Sequence, residues 1–281
     1  MTHLQKGWEG AESTDLQTYY LLKVEELLLS SEATPLKTVQ RARAALQSSV
    51  EDSPSVVQLT YLYQTLDENL SRRSGERKTF TTSDGLINSY VYTVVQDGQG
   101  ILWIGTAKGV CQYDGERFIP FTLSQTLSES EVTSIRIDRE GHIWFGTRGN
   151  GVFRYDGEKV VQYTVKEGLG GDNVTDIIQD GKGALWFATY GGLSRYDGER
   201  FTNFTTLDGL VHDSVSTIFE DSHGVLWIGT WQGLSRYDGN GFTTFTEIRE
   251  LLKSSQVYIY AVAEDAGGNL WFGTNEGAFR Y

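Results

Sequence analysis

The sequence predicts an all-β protein, a five-bladed β-propeller, preceded by a small helical region. A tryptophan recurs at intervals of 41, 42, 41 and 44 residues, as Trp103, Trp144, Trp186, Trp227 and Trp271. Each tryptophan is preceded at three residues by glycine, at six by aspartate, and at nine and twelve by valine or isoleucine. A period of about 40–45 residues that contains several short strands is typical of propeller blades.

Each repeat divides into four strands. In the second repeat the innermost strand is "VTSIRID", and the turn "DREG" leads into "HIWFGT". The third and fourth strands are "GVFRYDG" and "EKVVQYT", joined by an Asp-Gly pair. Asp-Gly favours a tight hairpin because both residues tolerate positive φ at low cost. Five such repeats occupy residues 74–281, which we expect to form the propeller domain.

The fifth repeat reaches only its third strand at Tyr281. The stretch "SGERKTFTTSDGL", which begins at Ser74, resembles the outer strand and following turn of the other repeats. We therefore expect Glu76–Thr82 to supply the outer strand of the last blade and to close the ring without a free sheet edge. Closure would also place Tyr258 beside Tyr90.

Residues 1–73 contain none of these repeats and are expected to form three short helices. Leu16, Tyr20, Val24 and Leu27 recur at helical spacing. Thr34-Pro35 and Ser53-Pro54 each provide an N-cap residue followed by proline at the first helical position. This region is expected to brace the propeller or to dock a protein partner.

Composition excludes several classes of partner. The 281 residues carry a formal net charge of -13, which argues against nucleic acid or an anionic membrane as partner. Cys111 is the single cysteine, and the five repeated aspartates fall at turns, so we expect no metal and no cofactor. No apolar run is long enough to span a bilayer. A cytoplasmic location is expected, or a periplasmic one if the chain is part of a longer protein.

The repeated phrases "DGL", "LW.GT" and "GL.RYDG" resemble the two-component regulator propeller repeat. The resemblance covers residues 74–281. The family occurs in the sensor regions of bacterial hybrid two-component systems and in other multi-repeat bacterial proteins. It implies a propeller fold for this chain.

Candidate ligand-binding residues lie where the repeats differ from one another. Two sets of variable loops, one after "LW.GT" and one before the inner strand, are expected on the same face of a propeller, around the mouth of the channel. The candidates in these loops are Tyr90, Arg148, Asn173, Tyr190, His212, Trp231, Gln232 and Tyr258. Aromatic faces beside amide and charged groups suit a sugar, an aromatic or a cationic small molecule, or a protein segment. Alternatively, these aromatics cover loop cores.

The sequence favours a non-catalytic binding module, and it leaves two alternatives open. An enzyme of lyase or hydrolase type would need acid and base groups within reach of each other at the channel mouth. The candidates are His212, Asp213, Asp176 and Glu131, with Tyr258 as a possible acid. The other alternative is a protein–protein adaptor without a small-molecule pocket.

Overall fold

The computed structural model describes residues 78–248 and 257–281. The predicted helices of residues 1–73, and the closing strand before Lys78, lie outside the described residues. Within the described ranges no helix is long and apolar enough to cross a membrane. The described strands form five antiparallel sheets, each with its strands in sequence order, which is the predicted blade arrangement.

The strands lie where the repeat pattern of the sequence predicts them. The first blade contains β1 (Val91–Gln96), β2 (Leu102–Thr106), β3 (Gly109–Tyr113) and β4 (Phe118–Pro120). The second contains β5 (Val132–Ile137), β6 (Ile143–Thr147), β7 (Val152–Tyr155) and β8 (Val160–Tyr163). The third contains β9 (Val174–Gln179), β10 (Leu185–Thr189), β11 (Gly192–Tyr196) and β12 (Phe201–Phe204).

The fourth blade contains β13 (Val215–Glu220), β14 (Leu226–Thr230), β15 (Gly233–Tyr237) and β16 (Phe242–Phe245). The fifth contains β17 (Ile259–Glu264), β18 (Leu270–Thr274) and β19 (Gly277–Arg280). A short helix, α1 (Gln125–Glu129), connects the first two blades. The "DGL"-type turns contain 3₁₀ turns at Thr82–Asp84, Val165–Glu167 and Thr206–Asp208.

The repeated tryptophans form the core between blades. Trp144 of the second blade is 1% exposed and packs against Val174 and Ile177 of the third blade's inner strand, together with Phe187. Trp103, Trp186 and Trp227 pack in the same way on the blade that follows each of them. Burial of one such indole stabilises the fold by on the order of 4–6 kcal/mol, as an upper bound.

Directed hydrogen bonds reinforce the same contacts. The hydroxyl of Thr133 on β5 donates to the carbonyl of Val174 on β9 at 2.6 Å. The hydroxyl of Thr175 donates to the Val215 carbonyl at 2.9 Å in the next interface. Ser216 donates to the Ile259 carbonyl in the one after it. The inner strands of the second, third and fourth blades are therefore each tied to the following one by both apolar packing and a hydrogen bond.

The expected ring closure is not found in the described residues. Lys78–Thr81 lie outside any strand, and the fifth sheet has three described strands. Inner strands of consecutive blades pack together, but β17 does not pack on β1 in this way. Trp271 accordingly remains 41% exposed. Phe80, from the expected closing segment, packs on the first blade, against Tyr113 and Phe118.

Candidate functional site

The loops that carry Tyr190 and Trp231 are fixed by their own backbones. The hydroxyl of Thr189 donates to the Gly192 carbonyl at 2.8 Å, and Thr230 makes the same bond to Gly233 at 2.8 Å. Both threonines are fully buried at the ends of β10 and β14. The variable residue that follows each threonine therefore extends from a rigid turn.

The second set of variable loops is hydrogen-bonded to the first. The N–H of Tyr190 donates to the Asn173 carbonyl at 3.1 Å, and that of Trp231 donates to the Ser214 carbonyl at 3.2 Å. In the fifth blade the Tyr258 N–H donates to Oδ1 of Asn275 at 2.8 Å. The two sets thus lie on one face, as expected, and their relative positions are set by main-chain bonds.

Three of the four predicted aromatics form an aromatic row, which consists of Tyr190, Trp231 and Tyr258. The Tyr190 and Trp231 ring centroids are 5.2 Å apart at an interplanar angle of 64°. The Trp231 and Tyr258 centroids are 6.4 Å apart at 70°. Tyr190 and Trp231 are 37% and 44% exposed, so their faces remain open to a ligand. The row crosses the third, fourth and fifth blades.

A cleft lies at one end of the aromatic row, between the fourth and fifth blades. His212, Trp231, Gln232 and Tyr258 line it, and it encloses about 90 Å³. All four residues were predicted from the sequence as ligand contacts. The cleft is thus well below the roughly 300–1,000 Å³ of a pocket that encloses a whole small molecule. It can hold one substituent of a ligand whose larger part lies on the row.

His212 and Asp213 are each engaged by backbone groups. Nδ1 of His212 accepts a hydrogen bond from the Ser214 N–H at 2.9 Å, so the neutral ring carries its proton on Nε2. Oδ1 of Asp213 accepts from the Thr206 N–H at 2.6 Å. The two side chains therefore support the loop separately and do not form an acid–base pair.

Glu131 and Arg148 form an ion pair on the rim of the second blade. Nη1 of Arg148 lies 3.1 Å from Oε1 of Glu131, and the Arg148 N–H donates to the Glu131 carbonyl at 2.9 Å. The side-chain contact is an ion pair without aligned hydrogen-bond geometry. Tyr92, which the sequence did not single out, hydrogen-bonds to Glu131, and this bond raises the pKa of its phenol. The predicted base is thus already paired.

Asp176 ties the third blade to the fourth. Its Oδ2 accepts from the hydroxyl of Thr217 at 3.0 Å and from the Ile218 N–H at 2.9 Å. Its Oδ1 accepts from the Ile177 N–H at 2.8 Å. Enclosure by the neighbouring strands raises the pKa of this carboxyl above its ordinary value. Asp176 does not line the cleft, so the five candidate catalytic residues are not assembled into one site.

Tyr90 is not brought beside Tyr258, in contrast to the expectation from ring closure. Its side chain is 74% exposed, and its ring makes no described contact with the aromatic row. The reason is that the inner strands of the first and fifth blades do not pack together as those of consecutive blades do. Asn173 contributes its backbone to the rim, where it pairs with Arg148 in an isolated bridge.

Two further features are not part of the aromatic row. Asp138, Glu140 and His142 place ligand-type atoms within 4.8 Å of one another, but the Asp138 carboxylate already accepts hydrogen bonds from the turn backbone and from Trp144. A second cleft of about 260 Å³ lies beside α1. It is lined by Lys108, Val110, Phe121 and Ser128, among others.

The family described as two component regulator propeller matches the chain five times, at residues 85–108, 126–149, 168–191, 209–232 and 252–276. Among solved structures, the extracellular domain of a hybrid two-component system from B. thetaiotaomicron is 28% identical, with a TM-score of 0.61. The match covers 68% of this chain and 27% of that one.

The extracellular domain of a one-component system from the same bacterium is 26% identical, with a TM-score of 0.59 over 69% of this chain. This chain spans only 27% and 26% of the length of these two domains. A catalytically inactive virginiamycin B lyase from Staphylococcus aureus, solved with quinupristin, is 20% identical with a TM-score of 0.55, over 70% of this chain and 71% of the lyase. That identity shows a shared fold alone. A search of the curated proteins found no match.

Proposed function

We propose that this chain, which belongs to the two-component regulator propeller family, is a non-catalytic recognition domain that binds a small molecule on its aromatic row. The observation that carries the proposal is the row itself: Tyr190 and Trp231 extend from rigid turns and are 37% and 44% exposed, and the ring of Tyr258 packs on Trp231. Consecutive repeats have different residues at these positions, so the blade architecture does not require the aromatics there.

The chemistry of the row selects a class of ligand. Aromatic faces attract cations and pack against flat apolar surfaces, including the faces of sugar rings. The cleft adds the imidazole of His212 and the side chain of Gln232, which can each hydrogen-bond a ligand. A formal net charge of -13 disfavours anionic ligands. We therefore propose a neutral sugar or a cationic or aromatic ring as the ligand.

We further propose that the propeller works outside the cytoplasm. The two sensor-system domains to which it is similar at 28% and 26% identity are extracellular. The cytoplasmic location expected from the sequence has no support in these comparisons. A role of residues 1–73 in bracing the propeller or docking a protein remains a proposal of the sequence alone.

The binding role is favoured over both alternatives. For the enzyme, the described residues place His212 and Tyr258 at the cleft, but Asp213, Glu131 and Asp176 are each engaged elsewhere. For the adaptor without a pocket, the cleft and the exposed ring faces have no role. A protein segment that places an aromatic or basic side chain on the row remains compatible with the same site.

The test is a thermal-shift screen of the full chain with neutral oligosaccharides, quaternary ammonium compounds and aromatic amines, followed by calorimetry. A ligand at 100 times its Kd should stabilise the protein by about 2.7 kcal/mol. We expect Trp231→Ala and Tyr258→Ala each to weaken binding at least tenfold. The matched control is Leu207→Ala, which removes an apolar side chain that is 96% exposed and lies off the row.

Two outcomes would overturn the proposal. If both row variants bind a ligand as well as the unaltered chain does, the row is not the site. If the chain turns over a bound compound and His212→Ala abolishes turnover while binding persists, the enzyme alternative replaces it.

A further inference from the structure

We propose that the exposed face of the fifth blade and the exposed face of the first blade are two halves of one blade–blade interface, and that each is covered by the opposite face of a second copy of this chain. We call them the tryptophan face, which consists of Trp271 and Gly273, and the valine face, which consists of Val91, Val94, Ile104 and Tyr113. The inference is independent of the proposed ligand.

The four interfaces inside the chain provide the template. In each one, the tryptophan of a blade packs on two β-branched residues of the next inner strand. Trp186, for example, packs on Val215 and Ile218, and its ring lies 5.5 Å from that of Tyr237. The four tryptophans in these interfaces are between 1% and 4% exposed.

The tryptophan face is built like the template but is uncovered. Nε1 of Trp271 donates to Asp265 at 2.9 Å, and the Arg280 guanidinium lies 5.9 Å from the ring centroid, as Arg154 does over Trp144. The indole is therefore held in the standard position. It is nevertheless 41% exposed.

The valine face has the complementary composition. Val91 and Val94 are 42% and 53% exposed, whereas their counterparts Val215 and Ile218 are 0% and 3% exposed beneath Trp186. Ile104 and Tyr113 belong to a small apolar cluster of the first blade that contains no tryptophan. This face therefore has the apolar components that the later blade contributes to the template, and it lacks those of a preceding blade, the tryptophan among them.

Phe80 occupies the position at the first blade that Phe204 occupies at the fourth blade. It packs on Tyr113 and Phe118 at 5.3 and 5.2 Å, as Phe204 packs on Tyr237 and Phe242 at 6.3 and 5.1 Å. Phe204 in addition stacks on Trp186 at 5.9 Å. Trp271 is the counterpart of Trp186 that would complete the cluster at the first blade.

The polar contacts of the two faces also match. In the interface between the second and third blades, the Arg139 N–H donates to the amide oxygen of Gln179, whose Nε2 donates to the Gly183 carbonyl. Gln96 on the valine face has the same local bond, from Nε2 to the Gly100 carbonyl at 3.1 Å. Its amide oxygen is thus oriented to accept from the N–H of Ala266, which is the counterpart of Arg139 in the fifth blade.

Gly273 leaves space for the incoming strand. A Cβ on Gly146 or Gly229 would lie 2.8 Å from a side-chain carbon of the following blade. At Gly273 the nearest atom to such a Cβ is the Cβ of Ala261, which lies on the same sheet, at 3.7 Å. An inner strand that carries Val91 can therefore approach β18 as closely as it does in the internal interfaces.

A second copy is the occupant that fits, because the full complementary set lies on this chain's own opposite end. Both faces are described, and within one chain they are not buried against each other, since Trp271 is 41% and Val94 is 53% exposed. A contact between different faces of two copies is heterologous, so it produces a closed ring if the rotation closes and an open assembly if it does not.

The test uses sedimentation velocity of the full chain over a concentration series. We expect the unaltered chain to associate, and Trp271→Ala and Val94→Lys each to weaken association at least tenfold. Val94 is exposed in the single chain, so Val94→Lys should keep the circular dichroism spectrum and melting of the unaltered protein. Trp271→Ala also removes the indole bond to Asp265, so it should keep the spectrum but melt at a lower temperature. Leu207→Lys, at an exposed apolar position away from both faces, is the matched control and should associate normally.

Mixing the two interface variants gives the decisive result. The Trp271→Ala chain keeps a valine face and the Val94→Lys chain keeps a tryptophan face, so the mixture can form one intact interface and should regain association. A chain that is monomeric at every concentration would overturn the proposal, whether its ring closes internally or stays open. Association that neither variant weakens would overturn it as well.

Discussion

The indole N–H of Trp144 donates a 2.7 Å hydrogen bond to Oδ2 of Asp138, while Oδ1 of the same carboxylate accepts from the N–H groups of Glu140 and His142. One aspartate thus connects the β5–β6 turn to the core between blades. The same indole bond occurs in all five blades, from Trp103, Trp186, Trp227 and Trp271 to Asp97, Asp180, Asp221 and Asp265. In the fifth blade the bond from Trp271, with the turn N–H groups, lowers the pKa of Asp265 to about 2.

We predict that Asp138→Asn destabilises the protein by about 2 kcal/mol, because a hydrogen bond to a buried charged acceptor contributes roughly 1.5–3 kcal/mol. Urea unfolding followed by tryptophan fluorescence measures the change. The control is Asp156→Asn, since Asp156 accepts only from the backbone N–H groups of Glu158 and Lys159 and no indole reaches it. The two substitutions should differ clearly, and equal losses would show that the indole bond contributes nothing.

We predict that Asp176→Asn gains stability relative to the unaltered chain as the pH rises. Burial raises the folded pKa of Asp176 above the ordinary value of 3.8. A carboxyl shifted in this direction contributes stability below its unfolded pKa and loses that contribution as the pH rises through its folded pKa. The amide stays neutral, so the difference in free energy of unfolding between variant and parent should grow from pH 3 towards pH 7.

Asp197→Asn provides the control of opposite sign for that titration. The N–H groups of Arg200 and Glu199 lower the pKa of Asp197 below its ordinary value, so its contribution is present above the unfolded pKa and lost on acidification. Relative to the parent, this variant should lose stability as the pH rises. If both variants changed with pH in the same direction, the assignment for Asp176 would be wrong.

We predict that Gly109→Ala destabilises the first blade more than Gly115→Ala does. Both glycines have positive φ, 86° and 99°, so an alanine at either position costs about 1 kcal/mol in backbone strain. A Cβ on Gly109 would also lie 2.6 Å from the Ser128 carbonyl oxygen, whereas none of the surrounding atoms comes within 4 Å at Gly115. The steric clash should add roughly 1–3 kcal/mol. Denaturant unfolding of both variants tests this, and equal losses would contradict it.

The blade architecture could be predicted because its determinants recur. Trp103, Trp144 and their counterparts define both the period and the core, and each occupies the same place in its sheet. The aromatic row was also predictable from the repeats. Tyr190 and Trp231 differ in residue type but occupy equivalent positions in successive repeats, so their side chains were expected to lie near each other.

Other features could not be predicted from a linear pattern. The period does not fix the rotation from one blade to the next, so the closure by Glu76–Thr82 and the pairing of Tyr90 with Tyr258 were expected but are not found in the described residues. The side-chain hydrogen bonds could not be predicted from the sequence either. Asp213 was a catalytic candidate, but the Thr206 N–H engages it, and that contact depends on how the preceding 3₁₀ turn folds back.

The buried position of Cys111 gives the protein an internal reporter of local opening. The thiol lies on β3, fully buried with Leu86 and Ile104, and burial raises its pKa. Since the thiolate is the reactive form, an alkylating reagent should modify this side chain only when the first blade opens. With no second cysteine in the sequence, the labelling rate reports the opening equilibrium of that blade alone, without an engineered probe.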